Sequence, residues 1–288
     1  MFAVTGITGK VGAAVARSLL SADQPVRAVV RDRSRGAPWA QLGCEIAIAD
    51  LSDTEALTAA FSGTAGVFAM VPPVFDPAPG FPEAMSFINP LRAALERAKP
   101  ARVVALSTVG ADAPQPNLLN VLGRMEDVFG TLSMPVTFLR AAWFMENAAW
   151  DIDSAKSGLI QSYLQPLDRA VPMVSTDDVG RAAAALLQER WEGRRVVELE
   201  GPQRVSPNAL AAAFAKALGT PVRAEVVPHD RWESIFRGQG MKNPIPRIQM
   251  IEGFNAGWID FPDRGAHARK GSTSVDQAIT TLIQRQGA

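Results

Sequence analysis

Through the first half of the chain, short apolar, β-branched runs alternate with longer stretches whose apolar residues recur every three or four positions. This is the pattern of parallel strands joined by crossover helices. Strands are predicted at Phe2–Thr5, Val26–Arg31, Glu45–Ala49, Gly66–Val71 and Arg102–Ser107. Helices are predicted at Lys10–Leu20, Thr54–Phe61 and Pro82–Ala98, and in the first of them Val11, Ala14, Val15 and Leu19 share one face. Because such crossovers are right-handed, a first β–α–β unit over residues 1–31 implies a doubly wound sheet covered on both sides. After Pro135 a further strand, Val136–Arg140, leads into the large apolar residues Trp143, Phe144, Met145 and Trp150, and the alternation becomes irregular. A helix at Val179–Gln188, a strand at Val196–Glu200 and a helix at Pro207–Leu218 then resume the α/β pattern. The stretch Gly238–Asp263 mixes Gly, Pro, Phe254 and Trp258 without clear periodicity and is expected to be a loop-rich cap.

The expected fold class is therefore α/β, a Rossmann-type doubly wound parallel sheet with a smaller, discontinuous C-terminal lobe. Residues 1–150 are expected to form the Rossmann-type domain, with strands from about 179–201 returning to its sheet, and residues 151–288 are expected mostly to form the second lobe.

Composition narrows the partners. Lys plus Arg (29) equals Asp plus Glu (29), so no global positive field draws nucleic acid or an anionic membrane surface. Apolar runs are broken well before the roughly 18 residues that a membrane span needs. The single cysteine, Cys44, rules out an internal disulfide and a cysteine metal cluster. A first strand starting at Met1 leaves no room for a basic and apolar leader ahead of it, and a cytoplasmic location is the expectation. His229 and His267 are far apart in sequence and lack ligand-like companions, so no metal site is expected. No G-x-S-x-G elbow points to a hydrolase.

Directly after the first strand comes Gly6-Ile7-Thr8-Gly9-Lys10-Val11-Gly12, a GxxGxxG spacing that opens a helix. The first glycine permits a sharp turn, the second removes the Cβ that would block a pyrophosphate, and the third lets helix and sheet approach closely. The helix N-terminus offers free N–H groups and a partial positive charge to the anion, and the hydroxyls of Thr5 and Thr8 can add to it. The competing reading is a tight turn that needs glycine for steric reasons alone. The second strand ends at Arg31, followed by Asp32, Arg33 and Arg35, where the adenosine ribose of a dinucleotide lies. An acidic residue there pairs with the 2′-OH of NADH, whereas arginine forks onto the 2′-phosphate of NADPH. Arg31 favours NADPH; Asp32 beside it leaves NADH open. Asp50, ending the third strand, is placed either to meet adenine or to cap a turn with Ser52 and Asp53.

These residues resemble the NmrA-like family of atypical short-chain dehydrogenase/reductases, which includes NAD(P)H:quinone oxidoreductases. The resemblance rests on the run Val4 to Gly12, on Val26 to Asp32, on Ala49 to Asp53, and on Leu106-Ser107-Thr108-Val109-Gly110. It continues at Thr137-Phe138-Leu139-Arg140, Phe144-Met145-Glu146-Asn147, the run Val171 to Gly180, and Glu200-Gly201-Pro202. It implies that Gly6, Thr8, Gly9, Lys10, Val11 and Gly12 line the pyrophosphate, Arg31 the 2′-phosphate, and Asp50 with Leu51 the adenine. It further implies that Val71, Pro72 and Ser107 flank the ribose and nicotinamide, with Trp143 and Phe144 closing over the nicotinamide side.

The departure is chemical. Ordinary members of the wider group use a Tyr-x-x-x-Lys pair as acid and base. Here the only tyrosine is Tyr163, with Leu167 four residues on, and residues 101–150 contain no Lys, His or Tyr. Leu122 and Arg124 stand in the helix after the fifth strand, and arginine is a poor proton donor. No catalytic residue is therefore assigned. The expectation is an NADPH-dependent reductase of a small, flat, apolar acceptor such as a quinone, which needs no dedicated acid. Phe75, Trp143, Phe144 and Trp150 are the candidates for the acceptor wall. The alternative is a non-catalytic NADP(H) sensor that acts through a protein partner.

Overall fold

The computed structural model describes residues 1–286, which divide into two compact units. The first comprises Met1–Thr108, Val121–Arg140 and Val179–Val197; the second comprises Val109–Asn120, Ala141–Asp178 and the chain from Glu198 onward.

In chain order the early strands are β1 (Phe2–Val4), β2 (Val26–Val30), β3 (Glu45–Ile48), β4 (Gly66–Ala69), β5 (Val103–Thr108) and β6 (Val136–Ala141). Between them run α1 (Lys10–Ser21), α2 (Arg33–Gln41), α3 (Thr54–Phe61), α4 (Pro82–Ala98) and α5 (Asn120–Phe129). Later come β7 (Trp143–Phe144), β8 (Leu159–Ser162), β9 (Met173–Val174), β10 (Arg194–Glu200), β11 (Arg223–Val226) and β12 (Arg269–Lys270). The later helices are α6 (Ile152–Lys156), α7 (Thr176–Gln188), α8 (Pro207–Leu218), α9 (Trp232–Gly238), α10 (Ile245–Ala256) and α11 (Val275–Gln286).

The main sheet has eight strands in the order β12-β10-β6-β5-β4-β1-β2-β3. The pairs of β1 with β2 and β4, of β2 with β3, and of β4 with β5 are all parallel. This is the doubly wound Rossmann-type arrangement. The chain moves outward from β1 through β2 to β3, then crosses back to place β4 on the other side of β1. The order therefore reverses beside β1, and in open α/β sheets such a reversal leaves a crevice at the carboxyl ends of the strands. Every residue of β1 and β4 is buried, because both faces of a central parallel strand are covered. Leu57 and Phe61 of α3, Ile88, Leu91 and Leu95 of α4, and Phe129 of α5 pack around Val67 and Val103.

In the second unit β8 and β11 form a parallel two-stranded sheet, and β7 pairs with β9. One core gathers Ile152, Ile160, Phe214, Ile279 and Leu282; another gathers Val227, Trp232, Phe236, Ile248 and Ile251. Here the expectation of a loop-rich stretch over Gly238–Asp263 is corrected, because α10 occupies its middle. The apolar stripe Ile248, Ile251 and Phe254 is buried at three-residue spacing. Pro246 sits in the first turn, where its missing N–H costs nothing. Gly253 is required by packing, since a Cβ there would lie 2.6 Å from Ile259 Cδ1. Helix α2 is likewise an addition to the sequence reading, and β4 stops at Ala69, two residues short of the predicted end.

Candidate functional site

The loop between β1 and α1 is built from three glycines with different duties. Gly6 has φ +63°, and a Cβ on it would lie 2.7 Å from Met70 Cγ. The Gly9 N–H donates to the Gly6 carbonyl at 2.9 Å, closing the turn. At Gly12 a Cβ would overlap the Gly6 carbonyl and lie 2.8 Å from Ile7 N, so helix and loop touch through a bare Cα. Gly9 differs: its backbone is extended (φ −94°, ψ 174°) and a Cβ would meet only Gly6 O, at 3.3 Å. Loop geometry thus demands glycine at positions 6 and 12, while at 9 it tolerates a side chain.

Helix α1 starts after Gly9 with no side-chain cap and no acidic residue in its first turn. Its first turn, from Lys10, carries the positive end of the helix dipole. Thr8, Gly9 and Lys10 are exposed there, while Val11 and Gly12 are buried and offer backbone only. Thr5 corrects the sequence reading. Its buried hydroxyl donates to Phe68 O (3.1 Å) and accepts from Met70 N (3.0 Å), so it staples β1 to β4 and has no bond left for a phosphate.

At the end of β2, Asp32 caps α2, accepting from Arg35 N at 3.0 Å and from the Ser34 hydroxyl at 2.5 Å. Those bonds hold its carboxyl below the usual range. Arg35 pairs with Asp32, but Arg31 and Arg33 are exposed and, among the described residues, in no ion pair. Asp50 Oδ1 accepts from Ser52 N (2.9 Å) and the Ser52 hydroxyl (2.6 Å), which together with the weaker pull of Arg31 lowers its pKa. This is the turn-forming role; its second oxygen takes no hydrogen bond. Leu51 beside it is half-buried. After β4, Val71 is buried and Pro72 half-buried.

Ser107, near the end of β5, is buried and donates its hydroxyl to Glu126 Oε1 at 2.5 Å. Glu126 in turn meets Arg140 in a two-pronged pair, 2.9 Å from Nε to Oε1 and 2.6 Å from Nη2 to Oε2, with both side chains 11% exposed. The sequence reading missed this triad. No spacing along the chain singles out Glu126, and only the adjacency of β5 and β6 brings its partners together. Leu122 is half-buried, and Arg124 is exposed beside Gly80 and Phe81.

Of the acceptor-wall candidates, Phe75 in the first unit is 49% exposed. In the second unit Trp143 and Phe144 are half-buried and Trp150 is 67% exposed. Trp143 packs edge-on against Phe254, with ring centres 5.1 Å apart. Tyr163 is a packing residue, stacked on Phe236 at 5.1 Å and edge-on to Trp232 at 5.7 Å; desolvation pushes its phenol pKa up. His229 is exposed and meets Glu252 at 2.7 Å, and His267 is exposed. Among the described residues no group of His, Cys, Asp and Glu could hold a metal, and no helix is long and apolar enough to cross a membrane. Burial raises Asp151 to about 6.

A nucleotide-type phosphate loop at a sheet reversal, with arginines at the end of β2, defines a dinucleotide-binding α/β protein. The model of the NmrA-like family matches residues 1–260, and the chain belongs to that family. NAD(P)H azoreductase of Xenophilus azovorans is 26% identical over 247 residues, spanning 85% of this chain and 83% of that protein. Quinone oxidoreductase 2 of Escherichia coli (strain K12) is 27% identical over 250 residues, spanning 85% and 84%. The crystal structure of Citrobacter sp. triphenylmethane reductase complexed with NADP(H) is similar with a TM-score of 0.80 at 21% identity, covering 98% of this chain and 99% of that one.

Proposed function

We propose that this chain is an NADPH-dependent oxidoreductase that delivers hydride to a flat, apolar acceptor such as a quinone, without a side chain acting as acid. In this reading the loop from Gly6 to Gly12 and the N–H groups at the start of α1 hold the pyrophosphate. Arg31 takes the 2′-phosphate, Asp50 and Leu51 the adenine, and Val71, Pro72 and Ser107 the ribose and nicotinamide. Bound NADPH supplies the hydride. The choice of NADPH over NADH follows from the spent carboxylate: Asp32 is committed to capping α2, while Arg31 and Arg33 remain unpaired.

The observation that carries the acceptor class is the environment of Ser107. Its one proton is given to Glu126, whose charge is already met by Arg140, so the serine oxygen can only accept. Ser107 therefore suits an amide N–H, as in a nicotinamide carboxamide, and cannot protonate a product. A ketone needs a proton delivered as it is reduced, whereas a quinone takes its proton from water. Within the second unit Trp143, Phe144 and Trp150 supply flat apolar surface for such an acceptor. The names of the relatives, an azoreductase and a quinone oxidoreductase, support the same class.

Steady-state NADPH oxidation with a panel of quinones tests the proposal. Saturable turnover above the rate in free solution, with NADPH preferred to NADH, is expected. Tight NADPH binding without turnover by any of them would replace the enzyme with a redox sensor.

A further inference from the structure

The second unit holds a cavity of about 340 Å³, within the range of small-molecule sites. Its apolar wall is Val171, Pro172, Phe254 and Ile259, and three arginines, Arg169, Arg204 and Arg264, stand around it with one carboxylate, Asp260. Their charges are not equally spent. Arg204 is forked onto Asp260 at 2.7 and 2.8 Å and also reaches Glu200, so it serves as a fixed part of the wall. Behind it Glu200 is paired with Lys270. Arg169 gives one N–H to the Asn255 carbonyl and meets no carboxylate. Among the described residues the Arg264 side chain makes no hydrogen bond or ion pair. Asp168 and Asp263, next to these two arginines in sequence, pair with neither.

The backbone presents Arg264 by an unusual route. Asp263, Arg264 and Gly265 are consecutive left-handed residues (φ +49°, +53° and +77°), and Arg204 Nη2 fixes the bend by donating to the Arg264 carbonyl at 2.7 Å. Two consecutive non-glycine residues in that region are rare in protein chains and concentrate where a side chain must be aimed.

We infer that this cavity binds an organic anion, a carboxylate, sulfonate or phosphate carried on a flat apolar body, with Arg169 and Arg264 taking the anionic oxygens. The four apolar residues take the body, and Arg204 with Asp260 holds the site open. Guanidinium groups fork onto such oxygens, and a cavity wall lowers the local dielectric around them. The site lies wholly within the second unit and does not depend on the reductase reading.

Calorimetric titration of the full chain without NADPH tests it, with naphthalene-2-sulfonate as probe, naphthalene-2-sulfonamide as its neutral counterpart and inorganic sulfate as the bodiless anion. Saturable sulfonate binding is expected, with at least tenfold weaker binding of the sulfonamide and of sulfate. Arg264→Gln should weaken the sulfonate about tenfold with an unchanged thermal midpoint, since that side chain holds nothing in the fold. Arg169→Gln, checked by circular dichroism, should do the same and guards against a folding defect in the first variant. Sulfonate binding unaffected by both variants, equal binding of the sulfonamide, or sulfate binding as tight as the sulfonate would each overturn the inference.

Discussion

Replacing Gly9 with alanine separates a glycine needed by a ligand from one needed by the fold. The backbone at Gly9 is open to any residue, so alanine brings a gain of about 0.4–1 kcal/mol from the stiffer unfolded chain. Against this stands one tight contact, 3.3 Å to Gly6 O, worth a few tenths of a kcal/mol by the usual shallow cost of a slight overlap. The net change is within about 1 kcal/mol, which moves the thermal midpoint of a chain this size by roughly 2–4 °C at most. The new methyl group, however, stands at the exposed mouth of the loop, at the positive end of the α1 dipole. It should cost NADPH affinity at least tenfold, about 1.4 kcal/mol. Gly12→Ala is the contrast: its Cβ strikes the Gly6 carbonyl and Ile7 N, and overpacking of this kind costs about 1–3 kcal/mol of stability. Scanning calorimetry and NADPH titration on both variants read the two effects. If Gly9→Ala binds NADPH like the parent chain, or unfolds as early as Gly12→Ala, the ligand explanation of the loop is wrong.

Arg31→Ala should weaken NADPH about tenfold or more and leave NADH unchanged, since only the former carries a 2′-phosphate; equal losses for both in calorimetric titration would contradict the assignment. Arg140→Met removes the counter-charge of a nearly buried carboxylate and should cost about 3–5 kcal/mol in urea unfolding, with Glu126→Gln in the same background recovering part of it. Asp151 gives a pH signature. Burial raises its folded pKa to about 6 from an unfolded value of 3.8, so the folded state favours the protonated form. Its ionisation therefore costs no stability below about pH 4, and the cost grows as pH rises towards 6 and is complete above it, at most about 3 kcal/mol. Asp151→Asn should raise the thermal midpoint at pH 8 and leave it nearly unchanged at pH 4.

Where elements begin with a strong local signal, the sequence reading and the structure coincide. Helices α3, α4 and α8 start as expected behind Asp53, with Pro82 in the first turn, and behind Ser206. Helix α2 lacks such legibility because only Gly36 and Trp39 are buried along it and Pro38 interrupts it. The same helix explains why Asp32 looked like a ribose ligand: a carboxylate after a strand is equally an N-cap, and only the backbone decides. The role of Thr5 is hidden for a related reason, since its partners Phe68 and Met70 lie more than sixty residues away. Glu126 was invisible because its chemistry depends on β5 lying beside β6, a fact of sheet order that no spacing along the chain encodes.

The central claim is hydride delivery that needs no protein acid, and single-turnover mixing of NADPH-loaded protein with a benzoquinone tests it most directly. Followed at the nicotinamide absorbance, the oxidation should be faster than the solution reaction, slowed by deuterium at the transferred position, and unchanged in rate by Ser107→Ala once NADPH is saturating. Loaded protein that oxidises no faster than free NADPH, or a rate that collapses with the Ser107 hydroxyl, would contradict it.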